Sequence, residues 1–114
     1  MARRKTHIED CERLLGKGYD HIHEWLDACT KDFPINKYLE YHRKFRHNKE
    51  TLNKQFTIWG FYEILAAKIH IVRDYELWVL QKPMYEVEIE EIEELYESAL
   101  TWCHTDLNIE EYKI

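Results

Sequence analysis

The sequence predicts a mainly α domain, a compact bundle of three to four main helices with one short β-hairpin entertained around residues 61–72. Three observations lead there. Only three Gly and two Pro occur in 114 residues, too few for the many turns of a β-sandwich. Apolar residues recur at helical spacing, as in Ile22, Trp25, Leu26 and Cys29 at i, i+3, i+4 and i+7. Glutamates also crowd the first turns of the C-terminal helical pattern, where the helix dipole favours them.

Taken in order, Thr6 with Glu9 reads as a capping box opening a helix whose stripe is Ile8, Cys11, Leu14 and Leu15. Gly16 and Gly18 end it. Asp20 is placed to cap a second helix that stops near Asp32-Phe33-Pro34. Pro34 suits the first turn of a third, with Tyr38, Tyr41, Phe45, Leu52, Phe56 and Trp59 as its stripe; it runs on to about Trp59 or breaks near Asn48. Phe61 to Val72 fits either a helix, favoured by Ala66-Ala67, or a hairpin of two apolar runs, although Ala-Ala-Lys is a poor turn. Asp74 is placed to cap a short helix through Leu80. The last helix spans about 86–104, with Ile89, Ile92, Leu95, Ala99 and Trp102 inward, and residues 105–114 form a short tail. Residues 1–114 read as a single domain.

The net charge of −6 is unevenly spread. Residues 1–83 carry 15 basic and 12 acidic side chains, or +3, whereas residues 84–114 carry one basic and ten acidic, or −9. A nucleic-acid binder would be more basic than this. No run is long and apolar enough to span a membrane, and no apolar segment follows the basic start, so no signal peptide is expected. Cys11, Cys29 and Cys103 are odd in number and far apart. That spacing argues against a zinc ribbon or disulfide framework and fits a reducing cytoplasm, with Cys11 and Cys29 read as buried structural thiols.

The densest polar stretch is Tyr41 to Glu50, where His42, Arg43, Arg46, His47 and Glu50 fall together. On a helix Arg43, His47 and Glu50 share one face and His42 lies over Arg46. Arginine offers paired donors to phosphate, and histidine adds further ones. His23 and Asp27 sit four apart around Trp25, a spacing that suits a helical metal site or a tautomer-fixing pair. The expected binding set is therefore His23, Trp25, Asp27, Tyr41, His42, Arg43, Arg46, His47 and Glu50, holding a small anionic ligand such as a nucleotide. Adjacent arginines disfavour a bare metal, so no metal or other cofactor is expected in this reading. His7, His21, His70 and His104 are individually uninformative. The chain has no GxGxxG, P-loop, HExxH or GxSxG motif.

Several segments together resemble a family of small uncharacterised bacterial and phage proteins. The likeness runs from His7 through Tyr19-Asp20-His21-Ile22-His23-Glu24-Trp25-Leu26-Asp27 and is strongest at His42-Arg43-Lys44-Phe45-Arg46-His47, which looks like that family's HRxxRH segment. It continues at Trp59-Gly60, with Trp for Phe, and at His70-Ile71-Val72-Arg73-Asp74. Trp78 stands where the family tends to carry a histidine. The resemblance implies a hairpin within residues 61–72 and a small accessory protein of phage or prophage type. Its concrete form is a cytoplasmic counter-defence protein that sequesters a nucleotide signal. A metal-dependent hydrolase using His23, Asp27 and His47 as ligands and Glu50 as general base is the alternative. A third reading is a protein-binding inhibitor that presents the acidic helix. A homo-oligomer is compatible with each.

Overall fold

A computed structural model describes residues 3–27, 52, 54–55 and 58–105, the last four by their backbone alone. Five helices are present among them: α1 (Arg4–Leu15), α2 (Asp20–Leu26), α3 (Phe61–Asp74), α4 (Glu76–Val79) and α5 (Ile92–Thr105). Two single 3-10 turns, Met84–Glu86 and Ile89–Glu91, precede α5. No strand occurs among the described residues. The fold is mainly α, as expected.

The segment Phe61–Asp74, left open between helix and hairpin, is one helix. The hairpin is corrected for a physical reason: nothing between the two apolar runs supplies the positive φ of a tight turn, while Ala66-Ala67 carries the best helix propensity. Ile69, Ile71 and Val72 cost the helix a few tenths of a kcal/mol each, roughly. Burying each is worth about 1.5–3 kcal/mol, and all three have no exposed surface. Burial wins. The Gly60 N–H donates to Glu63 Oε1 and closes the helix start.

α3 is the central element, packed against α1, α2 and α5. Ile64, Ala66, Ala67, Ile69, His70, Ile71, Val72 and Asp74 are all buried on it, so it is covered nearly all round. Cys11, Ile22, Leu26, Leu52, Tyr75, Val87, Ile92 and Tyr96 complete the core. Cys11 is buried as expected, its Sγ 3.9 Å from the Ala66 carbonyl oxygen. Burial first, and the Asp10 charge second, push its thiol up to about 12.

Several expected boundaries shift. α1 begins at Arg4, so Thr6 lies inside it rather than capping it. It ends at Gly16, whose φ of 84° lets its N–H reach the Glu12 carbonyl. α2 is capped by Tyr19 in the left-handed region, with Asp20 as its first residue, and it closes at Asp27 rather than near Pro34. Asp74 ends α3 instead of capping α4. α5 starts at Ile92, six residues late, because Glu88 donates its N–H to Glu91 Oε2 and the chain winds first as 3-10 turns. Among the described residues no helix is long and apolar enough to cross a membrane.

Two contacts fix α1 on its neighbours. Arg73 grips Asp10 with both arms of its guanidinium, Nε and Nη2 each 2.6 Å from a carboxylate oxygen, and reaches Glu76 with Nη1. Arg13 Nη2 donates to the Met84 carbonyl at 2.7 Å. Asp10 and Arg73 thus set the register between α1 and α3.

Candidate metal centre

Three histidines and two aspartates from three helices converge in the interior. α1 contributes His7, α2 contributes His23 with Asp27 at its end, and α3 contributes His70 and Asp74. The three imidazoles have no exposed surface. The Asp74 side chain is 1% exposed and that of Asp27 17%, which makes Asp27 the open edge. Helical spacing does the placing: His23 and Asp27, and again His70 and Asp74, are four apart and share a face.

The contacts divide around His70. On one edge, its Nδ1 lies 3.0 Å from His23 Nδ1, and His23 Nε2 lies 2.8 Å from the Gly18 carbonyl oxygen. On the other, its Nε2 lies 3.2 Å from Asp27 Oδ1 and 3.3 Å from Asp74 Oδ2. His7 stacks face to face on His70, centroids 3.6 Å apart, and its Nε2 lies 3.1 Å from Asp74 Oδ1. That last contact pulls the protonation of His7 upward, yet neither ring nitrogen of His7 has a hydrogen bond of ordinary geometry. A fully buried imidazole in that condition is uncommon and calls for a cause.

Charge is distributed unequally. Burial opposes protonation of His70, but Asp74 and then Asp27 outweigh it and push its pKa up to about 9. Burial lowers His23 to about 3, helped by the positive charge on His70 and by His7. His7 is lowered by burial and then by His70, against the pull of Asp74. Without a metal, the cluster is one imidazolium between two carboxylates, flanked by two neutral imidazoles.

Among the described residues, two overlapping groups have donor atoms close enough to hold an ion: His7, His23 and His70, and Asp27, His70 and Asp74. No family model, curated protein or solved structure matches the chain. Function has to be read from these side chains.

Of the expected binding residues, His23 and Asp27 lie in this cluster. Trp25 packs edge-on against Trp59, centroids 5.0 Å apart. Tyr41, His42, Arg43, Arg46, His47 and Glu50 lie outside the described residues. His7 and His70, read as uninformative, are at the centre. The sequence did hold a signal for His70: His23-x-x-x-Asp27 and His70-x-x-x-Asp74 are the same motif on two helices. His7 had none. His21 is exposed and pairs with Glu63 at 3.0 Å. A surface groove of about 850 Å³ runs past Lys17, Tyr19, His21, Phe61 and Tyr62, but none of the cluster's side chains lines it.

Proposed function

We propose that this protein is a metal-dependent hydrolase of small phosphate-bearing molecules, in which His7, His70, Asp27 and Asp74 hold one divalent first-row metal ion. The observation that carries the metal is His7: it is fully buried, without a hydrogen bond at either ring nitrogen, and 3.1 Å from a buried carboxylate oxygen. A cation beside Nε2 satisfies that nitrogen and neutralises the carboxylates together.

The spacing and donor chemistry support this. Neighbouring ligands about 2.1 Å from a common ion stand roughly 3.0–3.4 Å apart in octahedral to tetrahedral geometry. Asp27, His70 and Asp74 have donor atoms within 4.8 Å of one another; His70 Nε2 stands 3.2 and 3.3 Å from their oxygens, and His7 Nε2 stands 3.1 Å from the other oxygen of Asp74. Two imidazoles with two carboxylates suit zinc, iron, cobalt or manganese, and the carboxylates balance a divalent charge. The Asp27 side chain keeps 17% exposure although the oxygen facing His70 is itself buried, so water and substrate would have to enter past Asp27.

A divalent ion held there would supply a water of lowered pKa and a Lewis acid for a phosphoryl oxygen. In such a hydrolysis the water oxygen would bond to phosphorus as the ester P–O bond breaks. The leaving oxygen departs with one of the water's protons, so no oxidant or reductant is needed. The phosphate part of the reading rests on the sequence, through Arg43 and Arg46 in the segment after Asp27.

Elemental analysis of untagged protein, before and after incubation with manganese, iron, cobalt and zinc, tests the metal. About one equivalent is expected; less than about a tenth of an equivalent of every metal would overturn it. Loaded protein is then incubated with bis-p-nitrophenyl phosphate and a panel of cyclic and linear nucleotides. Turnover is expected. Nucleotide binding without turnover would replace the hydrolase with the sequestering protein that the sequence suggests.

A further inference from the structure

We infer that His23 is a positioning residue and not a ligand: together with the Gly18 carbonyl it fixes His70 in the Nδ1–H tautomer, which turns the Nε2 lone pair toward Asp27 and Asp74. This rests on the metal centre proposed above and assigns the internal roles of its histidines.

The assignment follows from which groups can donate. A backbone carbonyl only accepts, so at 2.8 Å from the Gly18 oxygen His23 Nε2 must carry the hydrogen. A neutral imidazole has a single N–H, so His23 Nδ1 is an acceptor. His70 Nδ1, 3.0 Å away, must then be the donor. The remaining nitrogen of a neutral His70, Nε2, presents a lone pair to two carboxylate oxygens at 3.2 and 3.3 Å. Lone pair against carboxylate is repulsive unless a cation stands between them, either a proton on Nε2 or a metal ion. The relay therefore leaves only one edge of His70 open to metal.

The alternative, with His7, His23 and His70 as the ligands, puts the ion between the two Nδ1 atoms and a proton on His70 Nε2. The 3.0 Å between the two Nδ1 atoms is the length of an ordinary N–H···N hydrogen bond, and the donor sequence from the Gly18 carbonyl onward supplies the hydrogen for it. A hydrogen bond from the far nitrogen of a ligating imidazole is the usual way a metal site fixes its tautomer. Here the acceptor is another histidine.

The relay is anchored by a loop with little freedom. A Cβ on Gly18 would lie 2.6 Å from Ile8 Cγ2, so beside Ile8 the backbone at residue 18 packs this closely on α1 only as glycine. The next residue, Tyr19, holds φ 53° and ψ 47°, a left-handed conformation that a tyrosine adopts at a cost. These two residues aim the Gly18 oxygen at His23.

The test uses the full chain with zinc and cobalt(II) as probes. In two-bond ¹H–¹⁵N spectra of zinc-loaded protein, the expected pattern is Nε2–H for His23, Nδ1–H for His70, and a metal-shifted Nε2 on His70. Metal-shifted Nδ1 signals on His23 or His70 would overturn the assignment. His23→Leu, which removes donor and acceptor, is expected to lower zinc affinity about 10–100-fold. His23→Gln keeps both an N–H and an acceptor oxygen; it should recover most of that affinity and leave the cobalt(II) absorption bands in place. Displaced bands in H23Q would make His23 a ligand and overturn the role. The wild-type spectra decide the question even where a variant fails to fold. Wild type that binds neither metal would overturn the centre and this role together, whereas metal bound with the wrong tautomers would overturn this role alone.

Discussion

His7 and His70 stack with their ring centroids 3.6 Å apart and 17° between planes, both without exposed surface. Two rings this close and this buried cannot both be charged at moderate cost, and the carboxylates choose His70. His7 is left neutral, unsatisfied and beside Asp74. The stack thus concentrates one mobile proton on the ring whose Nε2 faces both aspartates.

Metal-free stability should pass through a maximum near pH 6.5. His70 is held up to about 9 in the folded protein against 6.5 when unfolded. Between those values only the folded chain keeps the proton, so stability is full below 6.5 and is lost as pH rises toward 9. His23, lowered to about 3, acts the other way: below 6.5 the unfolded chain binds the proton and the folded one refuses it. His7, also lowered, adds to that acid limb. Each proton contributes a slope of about 1.4 kcal/mol per pH unit. Urea midpoints measured with chelator from pH 4 to 9.5 check this, and a curve still rising above pH 7 would contradict the charge on His70. Zinc should flatten the alkaline limb, because His70 Nε2 then has no proton to lose.

Asp74→Asn should destabilise the metal-free protein by about 3–5 kcal/mol, since it strips a buried imidazolium of its principal counter-charge. The same change removes a proposed ligand. In D74N, His70 should therefore titrate well below its wild-type value, and zinc should no longer raise the melting temperature. Denaturant melts give the first quantity and histidine ¹H–¹⁵N titration the second. An unchanged His70 titration would mean that Asp27 alone holds the charge.

How much of this was legible beforehand depends on the range of the signal. The helices α1, α2 and α5 follow from local apolar spacing, which a single sequence carries. α3 did not resolve, because a helix buried nearly all round loses its polar face, and Phe61–Val72 then lacks the alternation that separates helix from strand. His23 and Asp27 were legible as an i, i+4 pair. His7 acquires meaning only from contacts with residues 63 and 67 positions away in the sequence, His70 and Asp74. A dense local cluster such as Tyr41–Glu50 draws attention that a site assembled from dispersed residues does not.

Removing either partner of the Asp10–Arg73 pair should cost about 2–4 kcal/mol, somewhat under the fully buried range because the Arg73 side chain retains 18% exposure. Asp10→Asn leaves a cation at the edge of the core with Glu76 as its remaining carboxylate. Asp10→Leu combined with Arg73→Leu should recover part of the loss, since both charges leave together. A double-mutant cycle by urea denaturation measures this, and additive losses would mean that the two side chains act independently. Zinc affinity in the double variant also reports how far α1 register sets the place of His7.

Gly18→Ala should destabilise the protein by about 1–3 kcal/mol, because the new methyl would sit 2.6 Å from Ile8 Cγ2 and something must shift. The contact is with one side-chain methyl, which makes the effect separable from the backbone. Ile8→Ala costs some packing by itself, yet in the G18A background it removes the colliding atom. The two changes should therefore compensate, with the pair more stable than G18A alone. Thermal melts of the four proteins decide this, and a pair less stable than G18A would place the cost in the backbone of the 16–19 loop. Because the Gly18 carbonyl accepts from His23, recovery of zinc affinity in the pair should track recovery of stability. Stability restored without the affinity would mean that the loop had settled with its carbonyl turned away from His23.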